Sequence, residues 1–190
     1  MAAQPDDDQE LLRRMAKGDE AAFDALFLRY QRPIFRFAWH ISEDSTTAEE
    51  ITQEVFMQLI SNPRRYDPAK GSVAGYLFGI TRNLTRRSMK NSSLELPILD
   101  DWLNANEEDF ATECDVLAQL SQTELIQHLR KAVLALPELY REVLILRDLE
   151  QVGHRETAEL LQCSLGTVAS RLHRARAMLK MKLISVGCAK

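Results

Sequence analysis

Glycine and proline are scarce in this chain, at 7 and 6 of 190 residues. With 45% hydrophobic residues, that scarcity argues against general disorder and suits a helical globular protein. No apolar run approaches the length of a membrane span, so membrane insertion is not expected. The first ten residues are polar and acidic, unlike a secretory signal, and the expected location is cytoplasmic. Cysteines are few and odd in number. Cys114, Cys163 and Cys188 share no metal-ligand spacing with one another or with His40, His128, His154 and His173. They read as reduced thiols, with Cys163 filling space between two helices, and no metal or cofactor is called for. A phosphate-cradling glycine loop and a nucleophile–base motif are both missing, so an enzyme is a poor reading. Lysine and arginine vanish between Lys90 and Arg130, a stretch that holds nine carboxylates from Glu95 to Glu124. The net charge of −4 therefore hides a basic–acidic–basic order, which points to different partners for different segments.

Helical periodicity fills most of the rest. Gln9 to Lys17 predicts a helix stopped by Gly18, and Asp19 can cap a second with Ala22, Phe23, Leu26, Phe27 and Tyr30 on its apolar face. Pro33 predicts a kink or a new first turn before Ile34, Phe37 and Ile41. Thr47-Ala48-Glu49-Glu50 fits a capping box opening a third helix with Ile51, Val55, Phe56 and Leu59 inside. Asn62-Pro63 ends it, Arg64 to Gly71 reads as a loop, and Ser72 can cap a fourth helix running to about Lys90. No strand alternation or repeat stands out. The expected fold is all-α: a domain over residues 1–90, an acidic flexible linker over 91–111, and a second helical domain over 112–190.

The second domain ends in a helix-turn-helix pattern. Glu156 to Leu161 predicts a short supporting helix, Gln162 to Gly166 a turn, and the residues after it a helix with Val168, Leu172, Ala175 and Leu179 in one stripe. Thr167, Ser170, Arg171 and Arg174 lie mostly off that stripe near the helix start. Short hydroxyls and arginines in that position suit base edges and phosphates of a DNA major groove. Arg176, Lys180 and Lys182 are expected to meet phosphate or solvent.

Ala48-Glu49-Glu50-Ile51-Thr52-Gln53-Glu54-Val55-Phe56 resembles the polymerase-binding helix of bacterial extracytoplasmic-function sigma factors, of the sigma-70 family. Gly75 to Asn83 resembles the helix that follows it there. Leu136-Pro137-Glu138 to Leu149 and Gly166 to Arg176 are similar to the family's promoter-reading domain. The ordered set covers about residues 10–90 and 125–183. Tyr76 stands where the family usually has Trp, Thr157 where an apolar side chain is usual, and Ala169 where Lys is common.

The resemblance implies a sigma factor that binds core RNA polymerase, directs promoter DNA opening, and is held inactive by an anti-sigma factor. It implies polymerase contacts at Glu50, Gln53 and Glu54. For strand opening at the −10 element it implies Arg64, Arg65 and Tyr66 in the loop and Tyr76, Arg82, Asn83, Arg86 and Arg87 on the next helix. Aromatic and basic groups there offset unstacking by stacking on bases and neutralising phosphate. Core packing is an equal possibility for Tyr76, and a helix C-terminus alone also favours Arg86 and Arg87. The −35 duplex would be read by Thr167, Ser170, Arg171 and Arg174. The alternative is an autonomous helix-turn-helix regulator, which leaves the first domain without a task.

Overall fold

The computed structural model describes residues 7–92 and 122–187, and the side chains of all but the outermost of these. The acidic linker from residue 93 onward, the start of the second domain expected at residue 112, and Cys114 and Cys188 lie outside the described residues. Among the described residues every regular element is helical, and no helix is long and apolar enough to cross a membrane.

Helix α1 spans Asp8–Met15 and the chain reverses through Gly18, whose φ of 91° is left-handed. Helix α2 spans Glu20–Ser42 and is capped as expected: the Asp19 carboxylate accepts the Ala22 amide hydrogen at 3.2 Å. Pro33 neither ends α2 nor starts a new helix. Ala22, Leu26, Tyr30, Ile34, Phe37 and Ile41 are buried on both sides of it, and this continuous apolar face outweighs the one hydrogen bond proline removes. Helix α3, Ser45–Ser61, opens two residues before the expected capping box. Asp44 is the cap, taking the Thr47 amide at 2.7 Å, and hydrogen bonds from Thr47 hold its carboxyl below the usual range. A full negative charge at the positive end of a helix prevails over a threonine hydroxyl.

Residues 63–72 are more ordered than a plain loop, with 3₁₀ turns at Pro63–Arg65 and Pro68–Lys70. Ser72 then caps helix α4, Val73–Ser92, by accepting the Gly75 amide at 3.0 Å.

The second domain comprises α5, Gln122–Leu134, α6, Glu138–Leu144, a π-helical turn at Ile145–Leu149, α7, His154–Leu160, and α8, Leu165–Gly187. Helix α8 begins earlier than the periodicity predicts, because Ser164 caps it through the Thr167 amide at 3.1 Å. Gly166 is thus inside the helix, and Gln162, at φ 52°, makes the left-handed bend of the turn. Thr157, where an apolar residue is usual in the resembling family, is fully buried and donates its hydroxyl to the Gly153 carbonyl at 2.9 Å. That bond satisfies the polar atom a core position would otherwise strand.

Two apolar cores result, and they do not divide as the chain does. One belongs to α1–α4 alone. The other gathers Val133, Leu136, Val143 to Leu146, Val168, Leu172 and Ala175, and with them Phe37 and Ile41 of α2 and Phe78 of α4. The two domains therefore close on each other through a shared core.

Candidate nucleic-acid interface

On α8 the two faces separate cleanly. Val168 and Ala175 are fully buried and Leu172 nearly so, while Ser170 and Arg174 are exposed and Thr167 and Arg171 half-buried. The hydroxyls are held locally: Ser170 donates to the Thr167 carbonyl at 3.1 Å, and the Thr167 and Ser164 hydroxyls share a hydrogen at 2.8 Å. Arg171 and Arg174 thus supply the reach of this surface. Arg176 departs from expectation. It grips Asp148 with two bonds of 2.6 and 2.8 Å, tying α8 to the π-helical turn instead of facing phosphate.

On α3, Glu50, Gln53 and Glu54 are exposed opposite the buried Ile51, Val55 and Phe56. Met57 and Ile60, 58% and 50% exposed, are seven residues beyond Glu50 and Gln53 and so share their face. The apolar pattern did not single these two out. A polar face carrying two large exposed apolar side chains suits a protein partner more than solvent.

The residues expected to meet strand-separated DNA divide between two faces of α4. Tyr76, Asn83 and Arg87, at helical spacing, border a cleft of about 780 Å³ with Arg65 and Tyr66. The Tyr66 and Tyr76 rings lie 5.6 Å apart, both half-buried, and burial pushes both phenols up. The Tyr66 hydroxyl donates to the Gly71 carbonyl at 2.8 Å, closing the 63–72 loop on itself just before α4. Arg64 is exposed outside this cleft.

Arg82 and Arg86 lie on the other face, that of Phe78 and Thr85, which the second domain covers. Arg82 is buried. Its guanidinium donates to Glu142 at 3.0 Å and to the Leu160 carbonyl at 2.9 Å. Arg86 lies 3.5 Å from Glu138 and 3.8 Å from Glu142. In this closed arrangement both arginines are engaged by carboxylates of α6 instead of being free to meet DNA, contrary to expectation.

The interface holds further polar ties. Arg141, also buried, donates to the His40 carbonyl at 2.8 Å, to Glu43 at 2.7 Å and to the Leu134 and Leu136 carbonyls. At the edge Arg36 pairs with Glu150 at 2.9 Å. The Glu156 carboxylate of α7 accepts the Ser72 amide at 2.5 Å. A Cβ on Gly71 or Gly75 would come within 3.2 Å of that oxygen, so both glycines leave it room. Arg141, Glu142 and Glu156 were not singled out from the sequence. The one signal was an Arg-Glu pair set inside the apolar run from Tyr140 to Leu146.

Residues 26–94 match the family model for sigma-70 region 2, and residues 126–179 match that for sigma-70 region 4. The ECF RNA polymerase sigma-E factor of Escherichia coli K12 is 30% identical over 185 residues, 93% of this chain and 94% of that protein. The chain belongs to the extracytoplasmic-function sigma factors. Two solved structures share its fold at 21% identity. CnrH, in complex with the cytosolic domain of CnrY, superposes with a TM-score of 0.65 over 94% of this chain and 97% of that one. RpoE from Bartonella quintana, in complex with the anti-sigma factor NepR, gives 0.62 over 85% and 96%. In this sigma factor the region 4 match begins inside α5 and ends in α8, so it contains Glu138, Glu142, Glu156 and Leu160, which meet α4 and its cap. The region 2 match contains α3, the basic loop and α4, and with them all the groups expected to meet polymerase and melted DNA.

Proposed function

We propose that this sigma factor, a transcription initiation factor, divides its work between its domains. Residues 1–90 bind core RNA polymerase through Glu50, Gln53 and Glu54, supported by Met57 and Ile60. They open promoter DNA at the −10 element through Arg64, Arg65, Tyr66, Tyr76, Asn83 and Arg87, joined by Arg82 and Arg86 once the domains part. Residues 112–190 read the −35 duplex through Thr167, Ser170, Arg171 and Arg174, and the acidic segment 91–111 links the two. The protein works in the cytoplasm, where core polymerase is found. An anti-sigma protein holds it inactive, a partner of the kind that NepR is for RpoE of Bartonella quintana.

The observation that carries this reading is the sidedness of α8. Val168, Leu172 and Ala175 of its apolar stripe are exposed by 8% or less, while Ser170 and Arg174 face outward. A well-formed bidentate arginine–guanine contact on such a face contributes about 1–3 kcal/mol of discrimination. Transcription in vitro with core polymerase and a promoter library tests the reading. Selective initiation from a promoter subset is the expected result. Tight duplex binding by the chain alone, with no complex formed with core, would favour the autonomous regulator instead.

A further inference from the structure

Carboxylates of the second domain are ranged along the basic side of the first. Glu138 and Glu142 stand one turn apart on α6, against Arg86 and Arg82. Glu156 and Glu159 stand nearly one turn apart on α7. Glu156 sits on the Ser72 amide at the start of α4, and Glu159 lines the cleft that Arg65 and Arg87 border. The shared core is apolar and does not call for these acids. Glu142, at 1% side-chain exposure, would be costly to bury without the guanidinium that meets it. What the four acids have in common is the surface they face: arginines, backbone amides and two neighbouring tyrosines with tilted rings, the groups that hold a nucleic-acid strand.

We infer that these carboxylates act within the chain as stand-ins for DNA phosphates. In the closed free protein they stand against both faces of α4 that carry strand-binding groups, Glu138 and Glu142 at Arg86 and Arg82 and Glu156 and Glu159 at the cleft, and single-stranded DNA gains those faces only when the second domain withdraws. Ser170 and Arg174 of α8 stay exposed throughout, so the contact blocks strand capture without hiding the duplex-reading face. The inference rests on the assignment of α4 and the 63–72 loop to melted DNA.

The test uses the full chain and a fluorescein-labelled, mixed-sequence single-stranded DNA of roughly twenty nucleotides, read by anisotropy at low and moderate salt. One variant is Glu138→Gln with Glu156→Gln and Glu159→Gln. A second, Arg36→Glu, sets a carboxylate against Glu150 at the opposite edge and drives the domains apart without touching the four acids. It also makes the chain more negative, so general charge attraction cannot produce a gain. Both variants should enlarge the radius of gyration in X-ray scattering and bind the oligonucleotide about tenfold or more tighter, a gain that Arg87→Ala removes. Variants that expand yet bind within about twofold of the native chain overturn the inference, and so do variants that neither expand nor bind. Promoter opening by the holoenzyme, followed by permanganate reactivity, separates the inference from the assignment beneath it. If Arg65→Ala with Arg87→Ala leaves opening intact, the assignment to melted DNA fails. If it abolishes opening while the acid variants gain nothing, only the phosphate-mimic inference fails.

Discussion

Replacing Glu142 by Ala should open the protein, and the reason lies in how little net free energy holds it closed. Phe37, Ile41 and Phe78 are exposed by 0, 2 and 2%. Burying three such side chains contributes roughly 5–9 kcal/mol relative to leaving them in water. Against this stands the desolvation of Arg82 and Glu142, several kcal/mol for each ion, which their contact at 3.0 Å repays only in part. Closure is thus favourable by only a few kcal/mol. Glu142→Ala leaves the Arg82 guanidinium buried with the Leu160 carbonyl alone, at a cost of about 3–5 kcal/mol. That matches or exceeds the net closing energy, so the domains part and Arg82 regains water. The double variant Arg82→Met with Glu142→Leu should do the reverse, because a packed apolar pair in place of a buried ion pair is often neutral or stabilising by about 1–4 kcal/mol. X-ray scattering and fluorescence transfer between the domains read the outcome directly, with urea denaturation giving the energies. A Glu142→Ala chain as compact as the native one would refute the reasoning. So would a double variant that expands like the single.

Arg171→Ala should weaken discrimination among promoters by about 1–3 kcal/mol in competitive transcription while leaving core binding intact. Gln53→Ala with Glu54→Ala should do the opposite, lowering affinity for core polymerase in a pull-down or anisotropy titration and sparing promoter choice; loss of the same activity by both variants would contradict the division of labour. His40, 6% exposed with Nδ1 unpartnered, has its pKa pushed down to about 4 by burial and by Arg141, Arg130 and Arg36. Its neutral form costs nothing above the ordinary value of 6.5; below that the unfolded chain takes up a proton that the folded one resists, so stability falls as pH drops from 6.5 toward 4. The full loss is at most about 3 kcal/mol, less after solvent screening. Melting temperatures at about pH 7.5 and about pH 5 should diverge in the native chain and converge in His40→Phe.

What the sequence revealed and what it hid follow from the range of the interactions involved. The stripe of Val168, Leu172 and Ala175 was legible because helical periodicity is a local property that burial merely uses. Asp19 and Ser72 were legible as caps for the same reason. The start of α3 was misplaced because Asp44 and Thr47 are both good caps, and only the charge on Asp44 decides between them. Arg82, Arg86 and Arg87 look equivalent as a basic cluster. The rotation of α4 puts the first two on the side of Phe78 and the third beside Asn83, and which side is covered depends on Glu142, sixty residues away. No local pattern contains that information. The buried ion pair did leave a trace, since Arg141-Glu142 interrupts an otherwise apolar run.

The net charge of −4, awkward for a DNA-reading protein, also looks different once its arginines are located. Arg82 and Arg86 face Glu142 and Glu138, and Arg176 is spent on Asp148, so three of the groups that a count of basic residues would assign to DNA are engaged within the chain. Each arginine diverted from phosphate to an internal carboxylate lowers the slope of log affinity against log salt by about 0.9. A chain so arranged is expected to bind DNA weakly by itself and, on the proposed division of labour, to keep its selectivity in the few groups left exposed on α8. Weak free binding helps a subunit that must act only with its enzyme, because duplex captured by the chain alone would compete with the promoter complex.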